Sequence, residues 1–503
     1  MEQMIKINTD RIRSLQADND LFQNRASIAE LQGMETGVEV TIIVQGYDRI
    51  EKTKRCVESV LKYTSGIDFE LILIDHGSKD ETLEYFQSVA YSKKKVIHIT
   101  KNLGASYPPS VLNLKDLGRF VCPLMNDVIV TPHWLENLLI CMRSDIKIGM
   151  ANPVSSNTSN LQGVDFPYTD YDDMQKKAAR FNHSDPRKWG DRLRLITLGT
   201  LFRKEALIAV GWPYMDAGFF HDFADDDITF RIRRMGYRTV LAGDTWVCHD
   251  HDMRSRNRKE LAELQKSLSI GKANFQEKYF GVDAWEDVNN YYIPYLPSIP
   301  RPGAKGTARV LGVDVRCGTP ILDVKNWLRG SDIFDTELSA FTQDPKYWID
   351  LKTICTGAVV CDREEFLLDS FLPDYFDYIV VDRPLNRYHE PQKMIDDCFS
   401  LCKKGGVMLF KLKNSFSFRS YLYHLGKRDH YDQEFSYDLP VEAVEAALNR
   451  KGTVKKIIAV PIGLEEDSRR ALKELLPAEL PADQRAKAVE RMDTQEYLLV
   501  VEK

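Results

Sequence analysis

The residues able to do chemistry fall in a few short runs. Gln45-Gly46-Tyr47-Asp48, Asp75-His76-Gly77-Ser78 and Asn126-Asp127 each follow an apolar stretch, and Asp225-Asp226-Asp227 precedes Arg231, Arg233 and Arg234. His249-Asp250-His251-Asp252 closes a further apolar stretch. A carboxylate just past a strand commonly takes sugar hydroxyls, which makes Asp75 a candidate ribose or base ligand. Asp-x-Gly-Ser is also turn chemistry, with the carboxylate capping the backbone that follows. The acidic triple can supply a general base, its members raising one another's pKa. It can equally offset the dipole at a helix N-terminus. His249 and His251 would share one face of a strand, which suits zinc, but a third ligand is not signalled. One histidine completing a magnesium or manganese shell and a histidine bonded for structure are the other two readings.

These runs need a scaffold that ends several strands side by side. Residues 40–44, 71–75 and 96–99 are short, continuous, β-branched apolar runs, the pattern of strands covered on both faces. Helical patterns at 51–63 and 79–89 separate them, so βαβ units and a mostly parallel sheet are expected. A fourth strand, 120–125, leads into Asn126-Asp127, and its Pro123 argues for a short or irregular strand. Residues 9–32 read as a helix, for oligomerisation or for packing back on the first domain; 155–195 read as a polar loop or lid, and 257–280 as a helix. Four prolines between Pro294 and Pro302 mark a linker. Strands then resume near 309–315, 358–361, 376–381, 407–412, 454–460 and 496–501. The expected division is an N-terminal helix (1–36), a first α/β domain (37–255), a helical segment with linker (256–304) and a second α/β domain (305–503).

Taken in order, the runs 41–49, 71–82, Asn102-Leu103-Gly104, 126–135, 199–203, 225–238 and Val247-Cys248-His249 resemble family 2 glycosyltransferases of the GT-A fold, over roughly residues 38 to 255. The resemblance implies a nucleotide-sugar site. Tyr47 and Asp75 contact the nucleotide, with Gln45, Asn126 and Asp127 around it. Asp127 is the metal-binding acid of a D-x-D motif, His249 a further ligand, and Asp225 the catalytic base. Two positions depart from the pattern: Met125 stands where the first D-x-D acid belongs, and Ala224 where a glutamate usually precedes the base. The chemistry agrees with the assignment. Displacement at an anomeric carbon passes through an oxocarbenium-like state, and the diphosphate leaving group gains charge that manganese or magnesium neutralises. The acceptor hydroxyl needs a base in hydrogen-bond reach.

The second half, about 305 to 503, resembles class I S-adenosylmethionine-dependent methyltransferases. The resemblance rests on 310–320, 376–382, His389-Glu390-Pro391, 404–410 and the terminal strand-forming run 497–501. It implies S-adenosylmethionine bound through Cys317 and Gly318, with Asp362 meeting the adenine amino group. The usual Gly-x-Gly-x-Gly turn is reduced to Cys317-Gly318-Thr319-Pro320, and the acid that closes a second strand falls to Asp332 or Asp335.

Composition narrows the function classes. The 503 residues imply two or more domains, and 43 % hydrophobic with 28 % charged residues excludes a disordered or fibrous chain. A net charge of -6 argues against broad binding to nucleic acid or anionic membrane. No window has the roughly 18–20 apolar residues of a membrane span, and the N-terminus lacks a secretory signal. Nine cysteines form no CxxC pair, with only Cys398 and Cys402 at helical spacing, as expected of reduced thiols in the cytoplasm. The expected protein is a cytoplasmic glycosyltransferase, hexosyltransferase in type. It moves a sugar from a UDP-, GDP- or dTDP-sugar to a glycan or protein acceptor in bacterial surface glycan or flagellin glycosylation. Its C-terminal domain methylates the glycan or recognises the acceptor, and the N-terminal helix is a candidate homo-oligomer contact. The alternatives are a methyltransferase with a sugar-binding N-terminal domain and a scaffold of two degenerate domains.

Overall fold

The computed structural model describes residues 4–18, 37–220, 222–250, 258–300, 306–424, 437–477 and 479–503. The chain divides into two compact units, Met1–Asn289 and Asn290–Lys503. Each has its own sheet.

The first unit carries β1 (Met4–Ile7), β2 (Val40–Gly46), β3 (Phe69–Asp75), β4 (Lys94–Ile99), β5 (Phe120–Met125), β6 (Val128–Ile129), β7 (Ile148–Ser155), β8 (Trp189–Asp191), β9 (Leu201–Arg203) and β10 (Arg238–His249). The sheet order is β1-β4-β3-β2-β5-β9-β7-β10-β6, with β8 beside β10. β4, β3, β2 and β5 run parallel, as do β7 and β10, so their carboxyl ends gather on one edge. Alternation explains the continuous apolar runs. Val40, Ile42, Val44, Leu71 and Leu73 enter one core with Val57, Val60, Leu135 and Leu138. Ile43, Ile72 and Ile74 enter the other, with Met150, Ile228, Ile232 and Trp246. Each such side chain stabilises by about 1.5–3 kcal/mol when fully buried.

Four expectations change. β5 is regular, paired with β2 from Val40↔Phe120 to Gln45↔Met125; on its other side β9 pairs only Phe120 and Val121, so Pro123 lies where the strand has one neighbour. The stretch 155–195 is not one loop: it holds the helix Tyr171–Phe181, whose Met174 and Ala178 are buried. The helix expected over 9–32 does not form across 9–18, and 19–36 lie outside the described residues. Instead Met4–Ile7 adds an edge strand, pairing Met4↔Val96 through Ile7↔Ile99. The helix Arg258–Lys278 forms as expected, but it is part of the first unit: Lys278 is buried between Asp216 (2.9 Å) and Asp227 (2.8 Å), and Phe275 and Tyr279 pack on Phe230.

The second unit carries β11 (Ala308–Val313), β12 (Thr336–Thr342), β13 (Val359–Cys361), β14 (Phe376–Val381), β15 (Cys402–Lys413), β16 (Thr453–Pro461) and β17 (Thr494–Glu502), in the order β13-β12-β11-β14-β15-β17-β16. The first five are parallel, and β17 runs antiparallel to both neighbours. This is a doubly wound sheet with an antiparallel far edge, as the methyltransferase resemblance implies. Its strand order reverses between β11 and β14, the crevice where such sheets bind ligands.

Candidate active site

The site of the first unit lies where β2, β3, β5, β7 and β10 end. Tyr47, after β2, is 42 % exposed and available to a ligand. Gln45 is buried, and its Oε1 has no hydrogen-bond partner; the buried Nε2 of His76 has none either. Both are left to water or ligand from the site. Burial pushes the His76 pKa down to about 4, against the pull of Asp75.

Asp75, expected to contact the nucleotide, turns its side chain toward its own loop. Its side chain is 0 % exposed and faces its own turn, accepting from Gly77 N and Ser78 N (both 3.2 Å) and lying 2.7 Å from His98 Nδ1. The Asp-x-Gly-Ser run thus forms a turn capped by its own carboxylate. Asn126 is likewise turned inward, donating to Asp48 O (3.1 Å) and Thr53 Oγ1 (3.0 Å).

Asp127 and His249 do come together. β6 pairs with β10 through His249↔Val128, and Asp250 N donates to Asp127 O at 2.8 Å. His249 Nε2 then lies 3.7 Å from Asp127 Oδ2, both side chains partly exposed. His249 Nδ1 is 3.2 Å from Asn157 O. A carbonyl only accepts, so Nδ1 carries the proton and Nε2 keeps the lone pair that a cation needs. Ser156 Oγ accepts from His249 N (3.0 Å), and Asn157 Nδ2 donates to His249 O (3.1 Å). Ser156 and Asn157, just past β7, therefore orient the histidine. Reading the sequence missed them, and the end of an apolar strand was the one signal available. Among the described residues no third His, Cys, Asp or Glu completes a metal cluster. Two ligands suit magnesium or manganese sharing phosphate oxygens and water, and the donor set fits such an ion. His251 and Asp252 lie outside the described residues. Met125 packs against the core and is not a ligand.

The acidic triple opens the helix Ala224–Arg234, entered through Phe223 at φ 66°. Its three members have different surroundings. Asp227 is fully buried and bound by Arg231 (2.7 Å), Lys278 (2.8 Å) and Tyr279 Oη (2.8 Å). Burial would raise its pKa, but Arg231 and Lys278 outweigh it and hold the carboxyl below its usual value. Asp226 is buried against Arg194 and Trp285 Nε1 (3.1 Å), and there burial prevails and raises the pKa. The mutual rise expected of the cluster thus fails at Asp227. Asp225 alone is only half-buried, its Oδ1 accepting from Thr197 Oγ1. Thr197 and Arg194 precede β9 in an irregular stretch and gave no motif by which to find them.

In the second unit, Asp314 ends the β11 segment at φ 48° and accepts from Gln343 N (2.8 Å), Gln343 Nε2 (2.9 Å) and Tyr388 Oη (2.9 Å). The residues expected to hold S-adenosylmethionine do not fit it. Cys317 is buried. A Cβ on Gly318 would meet Ile354 Cδ1 at 2.4 Å, so the space beside this glycine is filled by the protein's own side chain. Arg316, just before this turn, stands in the left-handed region at φ 52°. Asp362 is exposed past β13, its Oδ1 accepting from Arg363 N (2.8 Å). Asp332 and Asp335 precede β12 and so lie at its amino end, away from any ligand crevice; the acid beyond its carboxyl end is Asp344, which caps a 3-10 turn.

Comparisons with known proteins bear mainly on the first unit. An uncharacterized protein, y4gI, of Sinorhizobium fredii (strain NBRC 101917 / NGR234) is 31% identical over 119 residues, which is 22% of this chain and 13% of that protein. The chain thus spans a small part of the relative it matches. Two solved structures are similar at low TM-scores. One is a chain from the complex of the Haloferax volcanii Trm112 methyltransferase activator with a methyltransferase (13% identity, 42% of this chain, 90% of that chain, TM-score 0.28). The other is a S-adenosylmethionine-dependent methyltransferase from Archaeoglobus fulgidus (16% identity, 46% and 98%, TM-score 0.29). The fold of the second unit rests on its own strand order instead. Residues 41–162, which take in β3 to β7 and nearly all of β2, match the model of glycosyl transferase family 2.

Proposed function

We propose that the first unit transfers a sugar from a nucleoside-diphosphate sugar to an acceptor hydroxyl, with Asp225 as general base and Asp127 and His249 holding a divalent cation. The observation that carries this reading is the contrast within the acidic triple. Asp226 and Asp227 are committed to buried cations, while Asp225 at the start of the same helix is only half-buried. The cation, when bound, neutralises charge gathering on the diphosphate. Tyr47 offers an exposed ring to the base, and Thr197 Oγ1 donates to Asp225 Oδ1 and fixes the orientation of the carboxylate that takes the acceptor proton. A hexose as the transferred sugar, a bacterial surface glycan or flagellin as acceptor, and a cytoplasmic setting complete the proposal. Among the described residues no helix is long and apolar enough to cross a membrane.

The test is turnover beside donor affinity for Asp225→Asn. Loss of a general base costs on the order of 100- to 10,000-fold in rate, with donor affinity unchanged because the leaving group is held elsewhere. An active Asp225→Asn variant would overturn the assignment.

A further inference from the structure

We propose that the ligand crevice of the second unit is filled by the chain's own residues 290–293, and that this unit is a structural module that does not take up S-adenosylmethionine. The inference rests on the sheet of that unit alone and is independent of the glycosyltransferase reading. The crevice at the strand-order reversal is walled by the loop after β11, the first turns of the helix Thr319–Arg329, the end of β14 and the adjoining face of β15. Residues 290–293 bond to each wall. Asn290 Nδ2 donates to Val315 O (3.4 Å) and Asp382 Oδ2 (2.8 Å). Tyr292 N and Ile293 N donate to Asp323 Oδ2 (2.7 and 3.3 Å). Tyr292 Oη donates to Asp382 Oδ1 (3.1 Å), and Lys411 Nζ, from β15, pairs with the same oxygen at 2.5 Å while standing 5.1 Å from the Tyr292 ring centre.

The result is a closed arrangement. Tyr292 is 0 % exposed and Asp382 4 %, so the strand-end carboxylate that would face a ligand is enclosed with three donors from the chain itself. A cofactor entering here must expel a buried aromatic ring and strand the Asp382–Lys411 pair. The turn below it is also closed, with Ile354 Cδ1 where a Cβ on Gly318 would stand. Two independent features of the crevice thus exclude the same ligand.

The experiment is equilibrium dialysis of the full chain with radiolabelled S-adenosylmethionine, with S-adenosylhomocysteine as competitor, on wild type, Tyr292→Phe and Tyr292→Ala. The expected result is no saturable binding to any of the three at millimolar ligand, with Tyr292→Ala melting several degrees below wild type. Saturable, competed binding by the wild type would overturn the proposal. So would binding gained by either variant, since residues 290–293 would then be a gate over a working site. Tyr292→Phe keeps the ring and drops only the Asp382 bond, so it decides the matter even where Tyr292→Ala fails to fold.

Discussion

Asp225 is only half-buried while its two neighbours are buried on charged partners, and that contrast makes the three variants separable. Asp227→Asn leaves Arg231 and Lys278 buried with reduced compensation, and Asp226→Asn does the same to Arg194. Breaking a buried pair costs roughly 3–5 kcal/mol, so both should lower the urea midpoint strongly, whereas Asp225→Asn should leave it nearly unchanged and remove turnover. Equal stability across the three would contradict the burial described here. Asp127 gives a second prediction. Its side chain is partly exposed beside His249, so Asp127→Ala should abolish transfer while circular dichroism and melting stay native. Full activity in that variant, or in excess chelator, would end the metal-dependent reading. A third concerns pH. The His76 pKa is about 4 when folded against an unfolded value near 6.5, so the unfolded chain binds the proton first. The stability held by neutral His76 is complete above about pH 6.5 and declines as pH falls toward 4, by about 3 kcal/mol in all. Urea midpoints at pH 7 and 4.5 should differ less in His76→Gln than in wild type. Residue roles were legible where a spacing forced them. The strand-end places of Asn126-Asp127 and His249 were readable, and the structure brings Asp127 and His249 together, while Asp75 bonds within its own turn. Ser156, Asn157 and Thr197 act through loop hydrogen bonds that leave no periodic trace in the sequence.

Elements with both faces covered announced themselves, since β2 and β3 are apolar at nearly every position. β12 did not. Its Thr336-Glu337-Leu338-Ser339-Ala340-Phe341-Thr342 mixes polar and apolar types without a clear period, yet Ser339 and Thr342 are buried beside β11, a tertiary demand with no local signal. The helix Tyr171–Phe181 was hidden by the polar residues around it, although Asp170 caps it by accepting from Asp173 N. The helix Arg258–Lys278 was found as an element but misplaced as a spacer. Lys278 shows why: it is fully buried and serves two carboxylates on other elements. Lys278→Met should therefore destabilise the first unit by roughly 3–5 kcal/mol, because Asp216 and Asp227 stay buried without their shared cation. A midpoint within experimental error of wild type would show that the helix is a mere attachment.

At the scale of the molecule, each unit has a sheet of its own, so each should fold alone; what needs argument is where to cut. The proline-rich stretch suggested a second domain beginning at 305. The hydrogen bonds place the start earlier, since Asn290 and Tyr292 satisfy Asp382, and Tyr292 N and Ile293 N satisfy Asp323. A fragment of residues 1–289 should unfold cooperatively and retain nucleotide binding. A fragment of 290–503 should also unfold cooperatively. A fragment of 305–503 loses every one of those donors, leaving Asp382 with Lys411 alone and opening the crevice over Val315 to water. It should be insoluble or should unfold without a sharp transition, with native-like far-ultraviolet but weak near-ultraviolet circular dichroism. If 305–503 instead melts as sharply and as high as 290–503, then residues 290–293 merely lie on the second unit, and both its boundary and the filled crevice are wrong.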